Sequence, residues 1–414
     1  MKQRPSLGVI FLTIFIDLLG FGIVMPFLTL VARDAFGVAE WVTTLLGASY
    51  SAMQFLCMPG WGRLSDRIGR RPVMLSSIFF SAVTMLALGG ALAWSDTIIW
   101  VFVARMLSGF ATANLGTASA YIADITTPEE RVKGMGLFGI AFGLGFLIGP
   151  AIGGLLAHHT VNGREGPWAC FIAAGLSVVN LLWAFLRLPE SLPVERRKPS
   201  TRSLSPLNVR ALRDTFSTPG ISRAVLTSFL IILAFSGLEM TYALYASDAF
   251  HFNTEQVGFM FMFMGTTGAL VQGGFMRRAS GRYKETSLAI TGVCLLALGF
   301  TGFAIAPRVG VPMLIVVSCL IAIGNGLTQP SLSAYISRLA NPARQGETLS
   351  ANQSMSSLGR VFGPALAGFL YTFFKPETPF IACALINFAA LACALGMRSI
   401  QPAPTANAAH MAEA

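Results

Sequence analysis

Charge is what this chain has least of. Of its 414 residues, 12% are Asp, Glu, Lys or Arg, against about 25% in ordinary soluble domains. That excludes a chain kept in solution by a charged surface. Histidine is nearly missing: His158 and His159 adjoin in a polar loop, and His251 and His410 stand alone. No histidine-based metal or catalytic cluster can be assembled from them. The cysteines (Cys57, Cys170, Cys294, Cys319, Cys383, Cys393) fall within apolar runs without Cys-x-x-Cys spacing. A disulfide framework and a structural zinc site are thereby excluded. There is also no Walker loop, no Gly-x-Ser-x-Gly and no His-Glu-x-x-His. Neither a nucleotide site, nor a catalytic constellation, nor a cofactor is expected.

What is present is apolar. Hydrophobic residues make up 54% of the chain, with mean hydropathy +0.65. Twelve runs occur at 7–31, 42–61, 73–94, 97–122, 133–157, 167–187, 221–247, 256–276, 286–306, 311–337, 346–373 and 378–397. Each is long enough to cross a bilayer as a helix. The first is too long for a signal-peptide core and is read as retained. The expected fold class is an all-α membrane protein of twelve transmembrane helices.

The net charge of +10 does not point to nucleic acid, because its placement follows a bilayer. With the amino terminus cytoplasmic, 23 of the 29 Lys and Arg lie on that side; the others are Arg33, Arg164, Arg308, Lys375, Arg105 and Arg360. This is the positive-inside bias, and it predicts both termini in the cytoplasm. Trp41, Trp94, Trp100 and Trp168 fall near outer span ends, and Trp61 and Trp183 near inner ends, as an aromatic belt would place them. The one Asn-x-Ser/Thr match, Asn352, lies inside a predicted helix. A bacterial inner membrane is the expected location.

Residues 188–220 form the long polar segment between spans and divide the chain into bundles at 1–187 and 221–397, with a tail at 398–414. The segment reads as a solvated cytoplasmic linker, or as an interfacial helix around Leu207–Phe216. The bundles repeat each other. SAYIADITTP (119–128) matches SAYISRLANP (333–342), and GPAIGGLL (149–156) matches GPALAGFL (363–370), both displaced by 214 residues. Six spans per copy make the repeat parallel, as in transporters that rock two bundles about a central site.

GWGRLSDRIGRRPV (60–73) carries four arginines and one acid in a turn-like setting. It begins like a phosphate fingerprint but has Ser65 at the third glycine, and a helix rather than a strand precedes it. GRLSDRIGRRPV resembles the loop signature of the major facilitator superfamily. ARMLSG (104–109) resembles that family's fourth-helix arginine motif. GLGFLIGPAIGG (143–154) resembles the fifth-helix motif of its drug:proton antiporters, and IDLLGFGIVMP (16–26) is similar to the tetracycline/proton antiporters.

The resemblance implies roles. Asp17 falls on an essential first-helix acid and Arg105 on the arginine tied to proton coupling. Gly62, Asp66, Arg67, Gly69 and Arg70 fall on a cytoplasmic gate with Asp124 as a partner, and Gly145, Gly149, Pro150, Gly153 and Gly154 on the fifth-helix motif. Departures count against tetracycline as the substrate. Thr84 stands where those pumps carry an acid, span nine lacks an acid and span eight lacks a histidine.

Independent of family, an ionisable group within a span costs about 2.5–3.5 kcal/mol on insertion scales and faces a cavity or a partner. Four qualify: Asp17, Arg105, Glu239 and Arg360. Asp17 reads as a proton-coupling or substrate group, or else as an interhelical hydrogen bond. Glu239, with Tyr242 at i+3 on its face, suits a cationic or amphipathic compound, or else pairs with Arg360 or Arg105. Tyr50, Gln54, Asn114, Gln272, Asn325, Gln329 and Gln353 are candidates for lining a cavity, against simple interhelical bonds. FMFMFMG (259–265) reads as lipid- or core-facing, or as a compliant binding wall. Asp66 is expected to pair with an arginine or a helix N-terminus of the other bundle, as a latch that holds the cytoplasmic side closed in the outward-facing state.

These features predict a secondary transporter, working as a single chain, that expels a small amphipathic or cationic compound in exchange for protons. A uniporter or proton-driven importer on the same fold is the alternative. A non-transporting receptor or scaffold would need an extramembrane domain that the sequence does not show.

Overall fold

The computed structural model describes residues 7–25, 27–126, 131–197, 209–279, 282–340 and 345–398. It is helical almost throughout. Among the described residues nine helical rods are long and apolar enough to cross a membrane. These are Leu7–Phe36, Arg70–Trp94, Ile99–Ile125, Pro167–Arg187, Pro219–Phe250, Thr254–Ala279, Glu285–Phe303, Val311–Leu339 and Thr378–Leu395. Three more long helices, Glu40–Ile68, Arg131–Ala157 and Gln345–Phe373, lie between them in the chain.

In the amino-terminal half the first rod is α1 (Leu7–Val24) and α2 (Leu28–Phe36), followed by α3 (Glu40–Ile68) and α4 (Arg70–Trp94). The next rod is α5 (Ile99–Ala111) and α6 (Leu115–Ile125), then come α7 (Arg131–Ala157) and α8 (Pro167–Arg187). A short helix, α9 (Val209–Phe216), leads into the second half, in the stretch where an interfacial helix was one expectation. There α10 (Pro219–Phe250) is followed by α11 (Thr254–Leu270), a π-type turn (Val271–Phe275) and α12 (Met276–Ala279). Then come α13 (Glu285–Phe303), α14 (Ala306–Val309), α15 (Val311–Leu339), α16 (Gln345–Phe373) and α17 (Thr378–Leu395). The tail beyond Arg398 and residues 198–208 of the linker lie outside the described residues.

The charged stretch at 60–73 departs from the turn expected of it. Helix α3 continues through Trp61, Arg63 and Asp66 to Ile68, and the chain reverses at Gly69 alone. Gly69 has φ +108°, a backbone that residues with a Cβ seldom adopt. Arginines on a helix that reaches the headgroup region can point their cations to water while their stems stay apolar, so charge density there does not break a helix.

The internal repeat is a repeat of packing as well as of sequence. Helix α7 meets α1 at small residues: a Cβ on Gly149 would lie 2.7 Å from the Gly22 backbone, and one on Gly145 3.0 Å from Leu18. Helix α16 meets α10 in the same way, Gly363 against Ser236 and Gly359 3.0 Å from Leu233. Gly22 to Ser236 and Gly149 to Gly363 are both displacements of 214 residues. Close backbone approach is what holds helices together where the hydrophobic effect offers no gain. Pro150 and Pro364 lie inside these two helices at the matching position.

The halves join through α3 with α16 and α7 with α11. Gly154 faces Gly258, with Cβ-to-Cα clearance of only 2.8 Å, and Gly368 sits on Thr44. These contacts lie toward the end remote from the linker, called the far end below. Polar contacts reinforce it. Arg33 Nη1 donates to both Asp248 oxygens (2.8 and 3.0 Å), and the Tyr371 hydroxyl donates to Asp248 at 2.6 Å. The Trp41 amide, a first-turn donor of α3 with no partner in its own helix, donates to Thr372 Oγ1 at 2.9 Å. Thr372 in turn donates to Glu40 at 3.1 Å, and Thr254 donates to Glu165 at 3.0 Å.

Candidate transport cavity

Between the halves lies a cavity of about 420 Å³. That is within the range of small-molecule sites. Its ionisable lining residues are Asp17, Glu239 and Arg360, and Tyr50, Gln54, Gln272, Asn325 and Gln329 add polar groups. The rest of the wall is largely apolar, with Phe21 and Met25 from the first half and Phe235, Met240, Phe261 and Met264 from the second.

The amino-terminal wall is built on a helix break. Helix α5 ends at Ala111 and α6 begins at Leu115, which leaves the Thr112 carbonyl to a side-chain partner. Gln54 Nε2 donates to the Thr112 carbonyl (3.2 Å), and the Tyr50 hydroxyl and Thr112 Oγ1 lie 2.6 Å apart. Because the Thr112 hydroxyl donates to the Ser108 carbonyl (2.9 Å), Tyr50 is the donor to it. Tyr50 is thereby fixed as a platform. The Phe21 ring packs on one side of it (centroids 5.2 Å apart), and the Arg105 guanidinium stands 4.4 Å from its ring centroid.

Arg105 is fully buried, and no carboxylate forms an ion pair with it among the described residues. Nη2 donates weakly to the Met25 sulfur (3.5 Å), while Nε and Nη1 have no partner. It supports the wall from behind and does not line the cavity. Asp17 is also unpaired at Oδ1, which is buried. The sequence expectation that Glu239 pairs with Arg360 or Arg105 is not met: the structure forms neither pair.

Three expected lining residues lie elsewhere. Tyr242 is fully buried against Phe261 and Phe303, with its hydroxyl 3.5 Å from Ser318. A residue at i+3 sits about 60° round a helix, enough to turn it from the cavity into the core. Asn114 is buried at the α5–α6 break, and Gln353 is an exposed residue of α16. In the other direction, FMFMFMG divides its residues. Phe261 and Met264 line the cavity, while Phe259 and Phe263 are exposed on the outer surface. The aromatic and sulfur wall was visible in sequence only as an undirected stripe.

The charged group at the linker end forms a network within the amino-terminal half. Arg70 binds Asp66 (2.6 Å) and Asp124 (3.2 Å), and also donates to Ser65 Oγ (2.6 Å). Glu190 accepts the first amides of α4, from Arg70 (2.8 Å) and Arg71 (3.2 Å), and so caps that helix. Asp66 pairs here with Arg70 of its own half; the inter-bundle latch expected of it belongs to the outward-facing state, whereas here it is the far end that is closed. Gly69 brings Arg70 back beside Asp66, one turn away. Arg67 is exposed, and a Cβ on Gly62 would meet nothing within 4 Å. Of the fifth-helix motif, Gly145, Gly149 and Gly153 form the α1 seam and Gly154, beside Pro150, the seam to α11.

Comparison with known proteins agrees with this architecture. The family model for the Major Facilitator Superfamily matches residues 10–307 and 275–413. The class C tetracycline resistance protein of Escherichia coli is 32% identical over 90% of this chain and 91% of its own length. Mouse major facilitator superfamily domain-containing protein 10 is 31% identical over 83% of this chain and 75% of its own. The crystal structure of the human organic anion transporter MFSD10 superposes with a TM-score of 0.69 at 26% identity, covering 94% of this chain and 98% of that one. A bacterial homologue of the lysosomal transporter Spinster, solved inward-facing, has a TM-score of 0.75 at 15% identity over 96% and 98% of the two chains, a likeness of fold alone. Two parallel-repeat bundles around one central cavity, joined by small-residue seams, thus go with a family match across nearly the whole chain: this is a membrane transporter, not an enzyme, and it belongs to the Major Facilitator Superfamily.

Proposed function

We propose that this transporter is a proton-coupled exporter of an amphipathic compound, lying in the bacterial inner membrane with both termini in the cytoplasm. The observation that carries the reading is Asp17, a carboxyl with a buried, unpaired oxygen in an apolar-walled cavity. Such a group has two uses in one cycle: it holds a proton when the site is empty, and it meets a hydrogen-bond donor of the substrate when that proton leaves. With the far end closed, substrate enters from the linker end, taken as cytoplasmic, and displaces the proton. The halves then rock, and protonation from the far side releases the substrate. Arg105, behind Tyr50, acts through the platform rather than on the substrate. Glu239 is the second protonatable group of the cavity.

Relatives are named for tetracycline resistance and for organic anion transport, and the apolar wall of this cavity suits the body of an amphipathic compound. Drug susceptibility of an efflux-deficient bacterial host expressing the protein identifies a substrate. Adding that substrate to the purified protein then releases protons, and Asp17→Asn abolishes the release. An unchanged proton yield in the variant removes Asp17 from the mechanism. Counterflow that persists without a pH gradient and moves no protons would replace exchange by uniport.

A further inference from the structure

Arg360 is the ionisable cavity residue that the coupling scheme leaves unused. It projects from α16 into the lining, four residues before Pro364, and is half-buried there. Among the described residues no carboxylate lies within ion-pair distance of it and no hydrogen bond holds it. Glu239 is within its electrostatic reach but not in contact. A cation kept in a largely apolar cavity without a counter-charge in contact with it is costly. The cost is offset when the counter-charge arrives with the occupant. A second group on the same half points the same way. Gln329 Nε2, on α15, is a buried donor with no partner, also in the lining. The opposite wall presents the complementary group, the unpaired Asp17 oxygen. The second half thus brings a guanidinium and an unpartnered amide donor to the cavity, beside the unpartnered Asn325 Oδ1 and the Glu239 carboxyl, with Phe21, Phe235, Phe261 and Met264 lining the apolar space.

We propose that Arg360 is the anion-recognition residue of this cavity and that the occupant is an amphipathic organic acid. Its acidic group sits on the Arg360 guanidinium, whose planar fork matches a carboxylate in two parallel hydrogen bonds. Gln329 adds a third donor, and the apolar body lies against the phenylalanine and methionine wall. This rests on the transport reading of the same cavity, but not on proton coupling.

The test uses the purified full-length protein in lipid nanodiscs and matched probe pairs, each an amphipathic aromatic carboxylic acid and its primary amide, headed by naphthylacetic acid and naphthylacetamide. Binding is read as thermal stabilisation against probe concentration. The acids bind the unaltered protein about tenfold or more tighter than their amides. Arg360→Gln erases that preference and Arg360→Lys keeps part of it. A folding defect would weaken acid and amide alike, so the ratio isolates recognition. The proposal is overturned if no acid binds, if amides bind as well as acids, or if Arg360→Gln retains the preference. Failure of coupling looks different: Arg360-dependent acid binding with no proton movement in vesicles sinks the exchange scheme and leaves the anion site standing. Proton-driven export of a compound without an acidic group, unaffected by Arg360→Gln, does the reverse.

Discussion

The far-end closure should respond to the loss of one carboxylate, Asp248. Arg33 Nη1 spans both Asp248 oxygens at 2.8 and 3.0 Å, and the Tyr371 hydroxyl adds a 2.6 Å bond. Arg33 comes from the first half and the other two residues from the second, so these bonds exist only while the far end is shut. Their side chains are partly shielded, with Arg33 19% and Asp248 33% exposed. Fully exposed pairs contribute about 0.2–1 kcal/mol, and hydrogen bonds to charged groups about 1.5–3 kcal/mol. A pair of this exposure lies between, at about 1–2 kcal/mol, because Asp34 at 3.1 Å leaves Arg33 one partner after the change. Asp248→Asn should therefore move the closed–open equilibrium about 5- to 30-fold toward opening.

Spin labels at His159 and Lys375, both exposed far-end residues on opposite halves, report the gap by pulsed electron resonance. The background replaces the six native cysteines and is first shown to transport. The unaltered latch gives a short distance; Asp248→Asn adds a longer population. A far-end-open fraction near 1 in 100 would rise to about 1 in 10 after a tenfold shift. Raised salt should shift the unaltered protein the same way but less, because the pair is only partly open to screening. Identical distance distributions for the unaltered protein, Asp248→Asn and Asp248→Leu would refute the latch and leave closure to the glycine seams.

Two further substitutions test the packing and the buried cation. Gly149→Val sets methyl groups where a Cβ already comes within 2.7 Å of the Gly22 backbone; overpacking of this kind costs about 1–3 kcal/mol, so thermal unfolding in detergent should start lower. Gly116→Ala, where a Cβ meets nothing within 4 Å, is the control and should leave the transition unmoved; equal effects would deny that the α1–α7 seam is tight. Arg105→Met should raise the unfolding temperature, because it removes a buried charge with two unpartnered nitrogens. The lost contact with the Tyr50 ring is worth about 2 kcal/mol or somewhat more at a desolvated site, less than the several kcal/mol of an unpaired buried ion. A fall in unfolding temperature would show that Arg105 is satisfied where it stands.

How much of this was legible beforehand depends on what each feature needs from the chain. A span needs only length and apolarity, so the long helices could be read directly. The seams need small residues at fixed spacing, so GPAIGGLL and GPALAGFL announced them. The α5–α6 break could not be read, because residues 112–114 contain no Pro or Gly; tertiary bonds from Tyr50 and Gln54 hold it. Cavity lining depends on helix rotation, which local spacing leaves free, hence the misplacing of Tyr242 and Gln353. The sidedness of FMFMFMG was hidden for the same reason. The Asp66–Arg70 pair was hidden because a single glycine with positive φ brings Arg70 back beside Asp66, a geometry that no count of charges contains.

The repeat itself separates structural from functional demands. At the seams the two halves still match: Gly149 on Gly22 has its counterpart in Gly363 on Ser236. In the cavity they do not. The position 214 residues after Asp17 is Ile231, buried in the second half's core, while that half's acid stands eight residues later at Glu239. Arg105 corresponds to Cys319, and Tyr50 to Met264. Close helix approach imposes one requirement on both halves, so the seams stay alike. A cavity that binds one asymmetric molecule imposes different requirements on its two walls. The first half supplies a rigid tyrosine platform with a carboxyl, and the second a pliable Met and Phe wall with a guanidinium. The divergence is therefore concentrated where the two copies face the same occupant from opposite sides, and that is the place where a symmetric duplication would serve it worst.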